Sequence, residues 1–278
     1  MVPIHRILVP VNFTESCRAT ALFASDLAAD LEAELRIVHV LEPAGSAIGF
    51  ETATMFESSL QSFREQARRT LDGFVDGHMS DRIQRVLLEG DPAGEIVRYA
   101  HNEQCELIVM PTHGYGVFRR LLLGSVTAKV LHDADCPVWT GVHPEATNAD
   151  GEISIRRIAC AVDLGPQTVS ALRWAARFAN HWHAPLTVIH VLAQVPDDSW
   201  RERLARLAHD QLLAYQADLG VEAELSVEPG RAEHAVPELA TRAGADLLVI
   251  ARGHTARARL GGGAYAIVRD SAVPVVSV

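Results

Sequence analysis

The sequence has few cysteines, and their spacing fits neither a disulfide framework nor a zinc site. Four occur in 278 residues, without a Cys-x-x-Cys pair. Their neighbours are mostly apolar, which favours buried free thiols over redox or metal-binding roles. The four are Cys17, Cys105, Cys136 and Cys160.

Long apolar runs and an excess of basic charge are also missing. No run approaches the roughly 20 apolar residues of a membrane helix, and Met1–Arg6 leads into the chain without a signal-peptide cleavage pattern. The net charge is −10, whereas binding to nucleic acid needs a basic face. We therefore expect a cytoplasmic protein without a membrane or nucleic-acid partner.

The common catalytic patterns are absent as well. Nothing resembles a nucleophile with its base, a paired carboxylate site or a His-Glu-x-x-His metal helix. His181 and His183 would point in different directions from a helix, which favours a helix terminus over a metal site. His39 and His190 lie at equivalent places in two predicted strands, which favours packing or hydrogen bonding.

One stretch of this acidic chain contains no carboxylate. From Leu107 through His132 there is no Asp or Glu, while Arg119, Arg120 and Lys129 are present. The stretch is predicted to contain a buried strand, a glycine-rich loop and the first turn of a helix. This arrangement holds phosphates, because the first N–H groups of a helix have no intrahelical acceptor. The alternative is a buried strand and an apolar helix that have no room for carboxylates.

The chain contains an internal repeat. Ile155–Leu192 aligns on Ile4–Leu41 without a gap, at an offset of 151 residues. A period of this length is too long for a solenoid and indicates a duplicated domain. We predict domains at 1–143 and 152–278, joined by a polar linker.

Strands alternate with helices in each half, which predicts a parallel sheet with right-handed crossovers. Ligands of such sheets bind beyond the carboxyl ends of the strands. In the first half the pattern also predicts a helix at Ser58–Gly77, with an apolar face that includes Phe63. The predicted strands of this half are Ile4–Val11, Leu35–Leu41, Ile83–Leu88, Cys105–Met110 and Cys136–Thr140.

The residues Thr112-His113-Gly114, followed by Leu122-Leu123-Gly124-Ser125-Val126, resemble the universal stress protein family. The chain is identified as a tandem member of that family. The resemblance implies an α/β fold of two Rossmann-like domains of the adenine nucleotide alpha hydrolase-like type. Each would have a five-stranded parallel sheet of order 3-2-1-4-5 with helices on both faces. It also implies pairing of domains through their last strands, giving either an intramolecular pseudo-dimer or a homodimer of tandem chains.

The resemblance further implies that the first domain binds ATP or another adenine nucleotide, with or without Mg²⁺. Two positions depart from the family pattern: Pro111 replaces a glycine, and Asn12 replaces an aspartate that meets the adenosine. Proline removes a backbone donor, and asparagine hydrogen-bonds more weakly than a carboxylate. The implied phosphate-binding residues are Gly114, Gly124, Ser125, Val126 and Thr127, and the implied nucleoside-binding residues are Pro10, Asn12, Val40 and Met110.

The second domain departs further from the family pattern. Asp163 restores the aspartate, but Gly261–Ala264 replaces Gly124–Thr127, so the hydroxyls are lost. We expect a degenerate loop, the alternative being an anion site rebuilt from arginines. Those arginines are Arg252, Arg257, Arg259 and Arg269.

These features predict a stress-response regulatory or protective module that binds ATP in its first domain, with the loop Glu42–Glu57 over the site. The alternative is an interaction protein of the same fold that binds no nucleotide and dimerises through its edge strands. We do not expect an enzyme, although slow ATP hydrolysis or phosphate transfer onto Ser125 or Thr127 stays open.

Overall fold

The computed structural model describes residues 4–42, 53–75, 82–112, 123–141, 153–192, 197–252 and 262–278. The chain divides into two compact units, unit 1 at Met1–Pro137 and unit 2 at Val138–Val278. Among the described residues, no helix combines the length and the apolar character that crossing a membrane requires.

Unit 1 is an α/β unit with a parallel sheet. Its strands lie in the order β3-β2-β1-β4, and all pairs are parallel. All four residues of β4 are buried, as expected of a parallel strand covered on both faces. The strands are β1 (Arg6–Pro10), β2 (Glu34–Leu41), β3 (Ile83–Glu89) and β4 (Leu107–Met110), and the helices are α1 (Glu15–Asp30), α2 (Ala53–Asp72), α3 (Pro92–Asn102) and α4 (Ser125–Asp133).

Unit 2 contains the second repeat together with one additional strand. Its strands lie in the order β5-β10-β9-β6-β7-β8, of which β6 to β10 reproduce the predicted order 3-2-1-4-5. The strands are β5 (Val138–Thr140), β6 (Ile158–Ala161), β7 (Leu186–Leu192), β8 (Glu224–Pro229), β9 (Leu247–Ile250) and β10 (Val275–Ser277). The helices are α5 (Thr168–Trp182), α6 (Asp198–Leu219), α7 (Ala232–Arg242) and α8 (Gly262–Asp270).

Strand β5 pairs with β10 in antiparallel register, with Trp139 opposite Val276. Both strands lie in unit 2, and pairing between domains stays a prediction. The two repeats and their parallel strand order confirm the predicted tandem α/β fold.

Two details of α2 differ from the prediction. The helix begins at Ala53 and ends at Asp72, five residues earlier than predicted at each end. Residues 53–57 contain neither glycine nor proline, so helix propensity does not delay the start, and Gly73 follows the last helical residue. Phe63 was expected on the buried face, but it is 65 % exposed.

Both strand histidines have a structural role. His39 Nδ1 lies 2.8 Å from the carbonyl oxygen of Val11, and His190 Nδ1 lies 2.9 Å from that of Val162. Because a carbonyl only accepts, each Nδ1 carries the hydrogen and donates it. The hydrogen-bonding role predicted for these residues is confirmed, and each imidazole fastens the end of one strand to its neighbour.

Three of the cysteines are buried free thiols, as predicted. Cys17, Cys105 and Cys160 are buried, whereas Cys136 is partly exposed. Burial raises the pKa of the Cys105 thiol to about 12, and it also raises the pKa of Cys160. Both thiols therefore stay protonated at neutral pH, which disfavours thiolate chemistry.

Trp139 anchors β5 in unit 2. Its side chain is fully buried, and its ring centroid lies 5.9 Å from that of Phe178 and 6.4 Å from that of Trp182, both in edge-on geometry. Phe178 and Trp182 stack on each other at 5.0 Å. This aromatic cluster joins β5 to α5.

We expect Trp139→Ala to lower the free energy of unfolding by about 3–5 kcal/mol, because it leaves a cavity in this cluster. Trp200→Ala is the matched control, since Trp200 is 56 % exposed on α6 and its loss should cost about 0.5 kcal/mol or less. Urea denaturation followed by far-UV circular dichroism measures both variants. Equal losses would contradict the packing role of Trp139.

Candidate functional site

Unit 1 contains a cavity of about 410 Å³ where β1, β2 and β4 end. This volume lies in the range of about 300–1,000 Å³ that is usual for small-molecule sites. The carboxyl ends of parallel strands are also where ligands of such sheets bind. Pro92 and Ile96 of α3 add apolar surface, and the first turn of α4 adds polar groups. The lining residues are Pro10, Val11, Asn12, Cys17, Val38, His39, Val40, Glu42, Pro92, Ile96, Met110, Pro111, Gly124, Ser125, Val126 and Thr127.

Eight of the nine residues proposed from the sequence line this one cavity. They come from four separate segments of the chain, which the fold brings together. The eight are Pro10, Asn12, Val40, Met110, Gly124, Ser125, Val126 and Thr127. The ninth, Gly114, lies outside the described residues, as does most of the loop 42–57. Binding of a nucleotide by these residues stays a prediction.

Several lining residues were not predicted, although the sequence contains signals for them. Glu42 follows Val38 and Val40 at the two-residue period of a strand, so all three share one face. Pro92 and Ile96 are four residues apart on α3 and also share a face. Cys17 lies in the first turn of α1, directly after the turn that contains Asn12. These spacings were readable once β2, α3 and α1 were assigned.

The N-terminus of α4 faces the cavity, and its N-cap residue, Gly124, has no side chain with which to accept a hydrogen bond from the first turn. The first N–H groups of the helix therefore add partial positive charge to this wall. Ser125 is exposed, and within the described ranges its hydroxyl makes no hydrogen bond. This wall suits an anion.

Thr127 differs from Ser125 in its hydrogen bonding. Its side chain is buried, and Oγ1 donates to the carbonyl oxygen of Pro111 at 3.1 Å. The N–H of Gly124 donates to the carbonyl oxygen of Thr112 at 3.0 Å. Together these bonds hold the start of α4 against the end of β4. Pro111 lacks an N–H, but its carbonyl contributes to this contact.

An ion pair lies beside the cavity. Lys129 Nζ, one turn after Ser125, lies 2.8 Å from Asp91 Oδ2. The same oxygen accepts from the N–H of Gly94 at 2.9 Å and caps α3. The Lys129 ammonium and this N–H lower the pKa of Asp91, while Asp91 raises the pKa of Lys129. The pair is charged at neutral pH and links the starts of α3 and α4.

Asn12 closes a tight turn at the end of β1. Its Oδ1 accepts from the Thr14 N–H at 3.3 Å, from Thr14 Oγ1 at 2.7 Å and from Cys17 Sγ at 2.9 Å. Thr14 in turn caps α1. The equivalent Asp163 in unit 2 accepts from the Gly165 N–H at 2.8 Å. The replacement of aspartate by asparagine thus keeps the turn.

One of the arginines that the sequence offers for an anion site in the second domain already has an ion-pair partner. Arg269 makes a bidentate pair with Asp270, with both distances at 2.6 Å, and the two groups shift each other's pKa values toward the charged forms. Arg257 and Arg259 lie outside the described residues. The degenerate character of this loop stays a prediction. In the described part of the chain, no three His, Cys, Asp or Glu side chains cluster around a possible metal position.

Comparison with known proteins agrees with this architecture. The chain is 33% identical over 132 residues to a universal stress protein of Thermus aquaticus, covering 48% of this chain and 94% of that relative. It is 29% identical over 142 residues to one of Methanocaldococcus jannaschii, covering 50% and 83%. The crystal structure of a universal stress protein from Archaeoglobus fulgidus matches with a TM-score of 0.69 and 21% identity over 98% of this chain and 95% of that one.

The model of the universal stress protein family matches residues 3–140 and again 154–278, one match for each repeat. Nearly the whole chain is covered, and the two matches follow the duplication seen in the sequence. The chain therefore belongs to the universal stress protein family.

Proposed function

We propose that unit 1 binds an adenine nucleotide, ATP in the first instance, and that the protein acts through this binding as a stress-response regulatory or protective module. One observation carries the proposal. The residues predicted from the sequence come from four segments and line a single cavity, and the N-terminus of α4, with glycine as its N-cap residue, forms one of the walls.

The wall at α4 would hold the phosphates. Backbone N–H groups of the first turn point at an anion placed there, and the helix dipole favours its charge. The Ser125 hydroxyl can donate a further hydrogen bond. Lys129 is paired with Asp91, so the attraction rests mainly on the helix terminus.

The strand ends that line the cavity suit a nucleoside. Pro10, Val40 and Met110 supply apolar surface for a flat ring, and Asn12 supplies a polar group at the end of β1. Glu42 is the one charged residue among those lining the described cavity. Its carboxylate repels phosphates and favours the orientation in which they lie at α4.

We infer that the protein is a binding module rather than an efficient enzyme. Among the described residues, the Ser125 hydroxyl has no general base within hydrogen-bond distance. His39 Nδ1 is committed to the carbonyl of Val11. The alternative of dimerisation through free edge strands is less favoured, because β10 has β5 on one side and β9 on the other.

We expect ATP to bind the wild type and Gly124→Asp to weaken that binding by about tenfold or more, because a carboxylate at the helix start repels phosphate. Aspartate is a favourable N-cap residue, so the helix is retained. Gly124→Asn has nearly the same shape without the charge and should lose less affinity. Calorimetric titration of ATP measures all three proteins.

Mass spectrometry of the ligand released by denaturing protein purified without added nucleotide is an independent check. Equal affinity of the wild type and Gly124→Asp would place the nucleotide elsewhere. Absence of binding to folded wild-type protein would overturn the proposal.

The two hydroxyls of α4 should respond differently to removal. We expect Ser125→Ala to lower ATP affinity by about tenfold, because it loses a hydrogen bond to a charged group, with little change in stability. Thr127→Val should lower the free energy of unfolding by about 1–3 kcal/mol, because it leaves the Pro111 carbonyl without its donor. Urea denaturation and calorimetry on both variants separate these effects, and the reverse pattern would refute the assignment.

A further inference from the structure

We propose that Asn12 acts as a hydrogen-bond donor that selects ligands by an acceptor oxygen on their sugar. The inference rests on the proposed nucleotide site. It adds that, in the contact between Asn12 and the ligand, the protein donates the hydrogen bond and the ligand accepts it. An aspartate at this position would require the opposite polarity, a hydroxyl hydrogen supplied by the ligand.

The oxygen of the Asn12 amide is already occupied by donors of the protein. Oδ1 already accepts from the Thr14 N–H, the Thr14 hydroxyl and the Cys17 thiol. A backbone N–H can only donate, so the atom that faces Thr14 has to be the oxygen and not the nitrogen of the amide. The equivalent turn in unit 2 agrees, since the atom at that place is a carboxylate oxygen of Asp163.

The nitrogen of the Asn12 amide, Nδ2, is the atom left for a ligand. Within the part of the chain that the structure describes, Asn12 Nδ2 makes no hydrogen bond, while the side chain lines the cavity and is half-buried. With Oδ1 engaged by three donors, Nδ2 is the polar atom that this side chain can offer to a ligand. Asn12 therefore donates the hydrogen bond in its contact with a ligand.

The sugar of the proposed nucleotide lies at the end of β1. Strand β1 lies between β2 and β4 in the sheet, and adjacent strands are about 4.8 Å apart. Phosphates at the start of α4 lie beside the end of β4, and Val40 and Glu42 lie two strands away at the end of β2. The group between them, above the end of β1 and beside Asn12, is the sugar of the nucleotide.

This polarity has a measurable consequence. A methylated sugar hydroxyl keeps its acceptor oxygen but loses its hydrogen, so it can still bind Asn12. A carboxylate in the same place has no hydrogen to donate at neutral pH, and it would need the hydrogen of the ligand. Asparagine and aspartate have nearly the same shape, which makes Asn12→Asp an isosteric reversal. Asp163 in the equivalent turn indicates that aspartate is compatible with the local fold.

The test is a cycle of two proteins and three ligands. Wild type and Asn12→Asp are each titrated calorimetrically with ATP, 2′-O-methyl-ATP and 3′-O-methyl-ATP. The added negative charge weakens all three ligands alike, and the bulk of the methyl group is the same for both proteins. For each protein we take the ratio of its affinity for ATP to its affinity for a methylated ATP. Both effects cancel when this ratio is compared between the two proteins.

We expect methylation of one hydroxyl to weaken binding about tenfold more in Asn12→Asp than in the wild type, while the other hydroxyl gives equal losses and serves as the internal control. Equal losses at both hydroxyls, or a larger loss in the wild type, would overturn the inference while ATP binding itself stands. If folded wild-type protein binds no ATP, the proposed function fails first, and the inference fails with it.

Discussion

The candidate site depends on how the N-terminus of α4 is fixed to the end of β4. Two bonds do this, from Thr127 Oγ1 to the Pro111 carbonyl and from the Gly124 N–H to the Thr112 carbonyl. Both acceptors are backbone oxygens, so this attachment does not need the glycine that Pro111 replaces. With the helix start held there, its free N–H groups face the cavity. The Asp91–Lys129 pair adds a link between α3 and α4.

The duplicated halves share hydrogen-bonded features of their scaffold. The offset that aligns the two sequences also aligns two hydrogen-bonded features, the turn after the first strand and the histidine of the second strand. These features satisfy backbone groups near strand ends, where unpaired polar atoms are costly. The amino-acid sequences of the loops before α4 and α8 differ between the halves.

The edge strands illustrate a second constraint on such a chain. An exposed edge presents unpaired backbone groups and invites association with other chains. Here β5 pairs with β10, and the buried Trp139 packs against Phe178 and Trp182 of α5. Backbone pairing and aromatic packing thus support one another, so the short β5 is held by side-chain burial as well as by hydrogen bonds.

The sequence by itself determined the duplication, the α/β class, the strand order implied by the family resemblance, and half of the residues that line the cavity. Strand periodicity is a local pattern along the chain, and the rule that ligands bind at strand ends follows from the topology of the sheet. Both can therefore be applied to the sequence alone. Only the tertiary structure decided the start of α2 and the exposure of Phe63. It also decided that Thr127 is engaged, that Ser125 makes no hydrogen bond within the described residues, and that Asn12 has only its amide nitrogen to offer. The Thr127 bond depends on a carbonyl 16 residues away, and the Asn12 bonds depend on the three-dimensional shape of its turn. Sequence spacing records neither.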